Sequence, residues 1–457
     1  MPEGDGADPD AGAGSGRARE IVDWRPEDPG FWAAGGRAVA RRNLLWSVLT
    51  EHIGFSIWSL WSTLVLFLGP EYGIDPAGKF LLTALPTALG AALRLPYTFA
   101  VSVFGGRNWT VFSALLLVVP AALAALVLEP GVGYGTLLAV ACAAGVGGGN
   151  FASSMTNVNA FHPERLKGWA LGVNAGGGNL GVPAVQLLGL AVLGTLGAAH
   201  PRVLPLVYLP LIVAAAVGAA RYMDNLRVVR GDRGAVREAC REPHAWVLSG
   251  LYIGSFGSFI GFGFAFGQVL STQFPERFDS PAQVASLTFL GPLLGSLVRP
   301  VGGRLADRWG GARVTLVNFG AMAVAAGLVW TASVRGSLAL FLVGFTALFV
   351  FSGIGNGSTY KMIPAVFRAR AEREAPVGAD PAVVERGARR RTGAVIGLAG
   401  AVGAFGGVLV NVVFRQSFLD SGNGEGAYLT FLLAYGVCAS VTWGVYLRPS
   451  PRRLPGV

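Results

Sequence analysis

Apolar residues run along this chain in long blocks separated by short polar intervals. A half-buried strand would alternate every two residues and a surface helix would show a narrow stripe; neither describes these blocks. A hydrocarbon layer about 30 Å thick needs roughly 20 helical residues to cross it. Twelve blocks meet that length: 44–69, 80–104, 109–129, 133–161, 168–197, 203–222, 245–273, 281–303, 314–333, 337–366, 391–414 and 427–447. The pattern predicts an all-α membrane protein with twelve transmembrane helices in a lipid bilayer. Residues 1–43 stand apart. The stretch MPEGDGADPDAGAGSGRARE is rich in Gly, Asp and Ala and is expected to be a disordered tail. It lacks the basic and apolar regions of a cleaved signal. WRPEDPGFW reads as an interfacial lead-in to the first block.

Composition narrows the class further. Apolar residues make up 52% and charged residues 14%, against about 25% charged in an average soluble chain. Cys142, Cys240 and Cys438 have no metal-ligand spacing and form no disulfide framework. No metal, no cofactor and no nucleophile constellation is expected, so an enzyme is not the reading. Net charge is +10, which in a soluble chain would suggest a nucleic-acid partner. Here it follows the positive-inside rule. With both termini in the cytoplasm, 28 of the 36 Lys and Arg fall on the cytoplasmic side, 5 in external loops and 3 inside spans. This predicts a multi-pass protein of the cytoplasmic (inner) membrane with no nucleic-acid partner.

The chain repeats itself. GVGGGNFASSM in the fourth block and GIGNGSTYKM in the tenth are 208 residues apart, and Arg94 and Arg299 are 205 apart. The expected layout is a tail and lead-in (1–43), a six-helix half (44–222), a cytoplasmic linker (223–244), a second six-helix half (245–447) and a cytoplasmic tail (448–457). Two such halves form a transporter architecture whose site lies near the midplane between them. A monomer suffices for this plan.

Charges inside the spans are the sharpest chemical signal. An Arg at the centre of a bilayer helix costs several kcal/mol unless it faces protein or water. Arg94 and Arg299 hold symmetry-related positions, and the spans offer almost no acid to pair with them. Two such arginines imply an anionic ligand, because a guanidinium presents a rigid fork suited to planar oxyanions. They also repel each other when the site is empty, so the empty carrier is expected to close poorly and exchange to outrun net flux. Gly147, Gly148 and Gly149, and Gly176, Gly177 and Gly178, lie mid-helix, where small residues let helices pack closely or slide.

The segment GGRLADRWGGAR (302–313) resembles the loop after the second or eighth helix in the major facilitator superfamily: Gly303, Leu305, Ala306, Asp307, Arg308, Gly310 and Arg313 all fall in place. Within that superfamily the chain resembles the nitrate/nitrite porter family from about Trp24 to the last span. Its most specific parts are 147–182, ALRLPYTF (92–99), TLVNFGAMA (315–323) and GIGNGSTYKMIP (353–364). The resemblance implies the major facilitator fold in two six-helix halves. It implies nitrate and nitrite as substrates, with Arg94 and Arg299 holding the anion. Phe151 and Phe256 would cover its flat faces, Tyr252 would supply a hydroxyl, and Asn179 a polar group beside the site.

One feature departs from the antiporter-like members, which tend to be neutral there: Glu51 and His52 in the first span and Lys361 in the tenth. Glu51 and Lys361 are expected either to form a gate ion pair between halves or to serve proton coupling. Nitrate cannot carry a proton near neutral pH, and moving one charge costs about 2.3 kcal/mol per 100 mV. Uptake into a negative interior therefore needs protons on the protein, whereas nitrate/nitrite antiport is electroneutral and needs none. The reading favours proton-coupled nitrate uptake, with antiport as the alternative. A non-transporting nitrate sensor would show the same spans but would need a soluble output domain.

Overall fold

We describe the chain from a computed structural model, which covers residues 20–197, 199–227 and 233–449 together with Leu454 and Val457. Among these residues, eleven helical segments, some with a one- or two-residue interruption, are long and apolar enough to cross a membrane. They are Pro76–Phe104, Gly106–Val127, Tyr134–Phe161, Glu164–Leu196, Val203–Tyr222, Pro243–Gln273, Pro281–Trp309, Gly311–Val334, Leu338–Glu374, Val383–Ser421 and Glu425–Leu447. The twelfth crossing comes first in the chain. It is Arg37–Trp58 followed by Leu60–Phe67, interrupted at Ser59, whose hydroxyl donates to the Phe55 carbonyl at 2.7 Å. All twelve expected crossings are therefore present, numbered here in chain order. Most ends lie within a few residues of the expected ones. The tenth and eleventh spans are longer because their arginine-rich ends continue as helix beyond the apolar blocks.

Glycine sets how closely the spans approach. A Cβ at Gly148 would stand 2.8 Å from the Gly90 Cα, and one at Gly149 would meet the Tyr97 ring; these two fix the fourth span on the second. Gly147 lies against Gly54 of the first span. In the second half, a Cβ at Gly257 would come 2.6 Å from the Gly406 Cα, so the seventh and eleventh spans touch backbone to backbone. The expected close-packing role thus has a specific partner at each of these positions.

The halves are locked together at the end away from the termini. Trp58 packs edge-on against Phe264 at 5.3 Å, and Phe80 stacks on Phe414 and Phe418 at 5.7 and 5.3 Å. Gln186 donates to the Gly263 carbonyl at 2.9 Å and Thr83 to Asn411 at 2.7 Å. At the termini end the halves meet through an exposed ion pair, Arg389 with Glu164 at 3.5 Å. The neighbouring Arg390 and Arg391 pair with Glu238 of the linker helix and Glu374 of the tenth span, at 3.1 and 3.0 Å.

The expected tail needs correction over residues 20–43; residues 1–19 lie outside the described part. Glu20–Ile21 pairs in parallel with Asn225–Leu226. Trp24 packs edge-on against Phe31 and Phe161, both at 5.3 Å. Asp224 accepts from Arg42 at 2.6 Å and Asn43 at 2.9 Å. Ile21, Trp24 and Trp32 interrupt the polar composition, and burying them against Phe161 and Leu226 orders the segment.

Gly257→Leu is expected to lower the thermal unfolding midpoint of the detergent-purified protein, because overpacking a close contact costs about 1–3 kcal/mol. Gly250→Leu, where nothing lies within 4 Å of the added Cβ, should leave the midpoint unchanged in the same scan.

Candidate functional site

Arg94 sits midway along the second span, between Pro86 and Pro96, and is only 1% exposed. Its Nε donates to the Gly148 carbonyl at 3.3 Å, and one terminal nitrogen donates to the Gly400 carbonyl at 2.8 Å. Gly148 belongs to the first half and Gly400 to the second, so this side chain already spans the interface. Its guanidinium lies over Phe151 at 4.6 Å, Phe256 at 5.1 Å and Trp58 at 5.5 Å. Aromatic faces stabilise a desolvated cation by about 2 kcal/mol each at best. The second terminal nitrogen is buried with no hydrogen-bond partner.

Arg299 approaches from the eighth span. One terminal nitrogen donates to the Tyr252 hydroxyl at 3.3 Å, and the guanidinium lies over the Tyr360 ring at 5.7 Å. Its other terminal nitrogen is also buried without a partner. Among the described residues, neither arginine has a carboxylate within ion-pair distance. Two uncompensated cations, each keeping a free donor, form a site suited to a small anion.

The aromatic floor follows from a local irregularity. Residues Ile253–Gly257 of the seventh span wind as a π-turn, a form seen most often at functional sites. It brings Tyr252 and Phe256 into a stack 5.1 Å apart at 10°. Phe256 faces Phe151 at 6.4 Å across the interface. The structure thus gathers five of the six expected binding residues: Arg94, Arg299, Phe151, Phe256 and Tyr252. Asn179 is fully buried, but neither of its amide atoms makes a hydrogen bond.

Glu51 and Lys361 are not brought together, so the expected gate pair needs correction. Lys361 pairs with Asp307 of the 302–313 motif, at 2.8 and 3.0 Å to its two oxygens. Glu51 is fully buried and accepts from the Ser154 hydroxyl and from the Asn174 amide, the latter at 2.6 Å. His52 turns to the Gly177 carbonyl at 3.1 Å. The fifth-span glycines explain the fit: Gly178 abuts the Glu51 carboxyl, Gly177 abuts Val48, and Gly176 has nothing within 4 Å.

Sequence reasoning missed Tyr360, whose hydroxyl is buried and unpartnered beside Arg299. It also missed Ser154 and Asn174. A signal was available for Tyr360, which lies next to Lys361 in the repeat that singled out the tenth span. Ser154 sits three residues beyond Phe151, one turn along the same helix.

Comparison with known proteins bears on the family and the fold. The Major Facilitator Superfamily profile matches residues 52–411. The nitrate/nitrite transporter NarU of Salmonella typhimurium is 38% identical over 95% of this chain and 97% of its own length. NarU of Escherichia coli is 37% identical over 94% and 96%. The probable nitrate/nitrite antiporter NarK2 of Thermus thermophilus is 32% identical over 94% and 96%. Among solved structures, a bacterial homolog of the human lysosomal transporter Spinster, in an inward-facing and unoccupied conformation, superimposes with a TM-score of 0.62. It covers 89% of this chain and 96% of its own at 15% identity, and so supports the fold alone. A buried, two-half arginine site on this fold, with relatives aligned over nearly the whole length, makes the chain a member of the major facilitator superfamily and, within it, of the nitrate/nitrite porter family.

Proposed function

We propose that this protein carries nitrate and nitrite across the cytoplasmic membrane by alternating access, with both termini in the cytoplasm, and that nitrate uptake is coupled to protons through Glu51. The observation that carries the anion site is the pair of free guanidinium nitrogens on Arg94 and Arg299, one from each half, beside the Phe151–Phe256 floor. Nitrate is planar, monovalent and barely basic. In-plane donors from the arginines and aromatic faces above and below match it.

Coupling rests on Glu51, a fully buried acid in the first span that has no ion-pair partner among the described residues. Electroneutral nitrate/nitrite antiport is the second reading, and one observation favours it: Lys361 is engaged by Asp307 and does not serve as a displaceable counter-ion for Glu51.

Arg94→Lys and Arg299→Lys each keep the charge but lose the fork. Charged hydrogen bonds contribute about 1.5–3 kcal/mol, so nitrate affinity should fall about ten- to a hundredfold in binding assays on purified protein. In proteoliposomes, an imposed pH gradient should drive nitrate uptake without internal nitrite, and Glu51→Gln should abolish it. Uptake that requires internal nitrite and ignores the gradient would establish antiport. Net efflux as fast as exchange would refute the idea that repulsion between empty arginines impedes closure.

A further inference from the structure

Glu51 is linked to the anion site by packing without touching an arginine. Ser154 donates to the Glu51 carboxyl, and the same hydroxyl lies 3.0 Å from the Phe151 carbonyl. Phe151, three residues back on the same helix, is the ring beneath Arg94. Asn174 donates to both Glu51 and the Ser154 hydroxyl, at 2.6 and 2.8 Å. Phe55, one turn beyond Glu51, packs on Trp58 at 5.1 Å and Phe151 at 6.2 Å. One oxygen of the carboxyl therefore takes both donors, and the other has no partner. All the donors are neutral, so the cost of burial, which favours the protonated acid, is opposed by these hydrogen bonds and by the charges on the arginines.

We infer that nitrate and a proton on Glu51 bind as a linked pair, each raising affinity for the other through the charges of Arg94 and Arg299, with Ser154 and Asn174 as positioning residues. This rests on the reading of the arginine pair as the nitrate site. While the site is empty, the two positive charges oppose the cost of burying a carboxylate, a cost that by itself favours the protonated acid. A bound nitrate cancels much of that field. Keeping the buried carboxylate charged then becomes costly, and it takes a proton from solvent onto its unpartnered oxygen. By reciprocity, the protonated acid leaves the arginines without a competing negative charge and strengthens their hold on nitrate. Carrier and cargo then move one proton with one nitrate.

Other titratable groups near Glu51 are few. His52, on the same helix, is turned to Gly177. Arg94, Arg299 and Tyr360 face it from the second, eighth and tenth spans. The fourth and fifth spans present Ser154 and Asn174. Tyr208 of the sixth span faces Ser56 instead, and Arg107 of the third reaches the Ala220 carbonyl.

The test is calorimetric titration of nitrate into the purified full-length protein, at a series of pH values and in two buffers of different ionisation enthalpy. The wild type should take up a proton with nitrate over part of the range. Its Kd should tighten by up to about tenfold per pH unit of acidification, and by about 5- to 150-fold in total. Glu51→Gln should bind nitrate with no proton uptake and no pH dependence. Ser154→Ala and Asn174→Ala should stay proton-linked with the pH midpoint displaced upward, because the ionised carboxylate has lost a donor. A packing role alone would weaken binding equally at every pH. Tight but pH-independent, proton-free binding by the wild type would overturn the linkage and leave the anion site standing. No nitrate binding at any pH would overturn the functional reading, and the linkage with it.

Discussion

Two arginine charges buried at the seam between the halves, with no carboxylate in ion-pair contact among the described residues, are the constraint around which the rest of the site is arranged. Such charges cost several kcal/mol in a membrane interior. The structure offsets part of this cost with groups that carry no formal charge. Arg94 is held by the carbonyls of Gly148 and Gly400 and covered by three aromatic rings. Arg299 is held by the Tyr252 hydroxyl over the Tyr360 ring. A carboxylate in either place would neutralise the site and abolish its attraction for an anion. Carbonyls and π-faces lower the cost while leaving the positive field available to a ligand.

That solution depends on the glycines. At Gly400 an added Cβ would lie in ordinary contact, 3.8 Å from the Arg94 nitrogen, so the demand for glycine falls on the acceptor from the first half. Close approach of the second and fourth spans through Gly90 and Gly148 brings the other carbonyl within reach. Helix packing and electrostatics therefore share residues. The glycine stretches bring spans together, place backbone acceptors at the midplane and, at Gly178, make room for a buried acid.

The sequence made some of this legible because membrane physics writes plainly. Block length revealed the crossings, and the rarity of charge within them singled out Arg94, Arg299 and Glu51. Residues that act through geometry were harder to see. Ser154 and Asn174 look like any polar residue in a glycine-rich helix, and only the packing of the first, fourth and fifth spans brings both onto one carboxyl. Lys361 was read as a partner for Glu51 because both are charged and belong to opposite halves, but Asp307, on a neighbouring helix of its own half, is closer. The ordered Glu20–Ile21 segment was hidden by the polar residues around it. Its few aromatics gain burial only once Phe161 and Leu226 have been placed.

The two arginines are not equivalent in this conformation, and the difference suggests how an anion can drive the cycle. Arg94 already reaches across the seam to Gly400 and Phe256, both on the opposite half. The polar and ring contacts of Arg299 are to Tyr252 and Tyr360 on its own half. With the far end sealed, the first half's guanidinium is thus held by the second half, whereas the guanidinium of the second makes no hydrogen bond or ring contact with the first. An anion seated between the free nitrogens supplies that missing connection. It adds an attraction across the seam on the side where the halves are otherwise joined by an exposed ion pair, a kind of contact worth about 0–1 kcal/mol. Closure of that end then depends on the cargo more than on the surface charges, as a carrier requires if it is to avoid cycling empty.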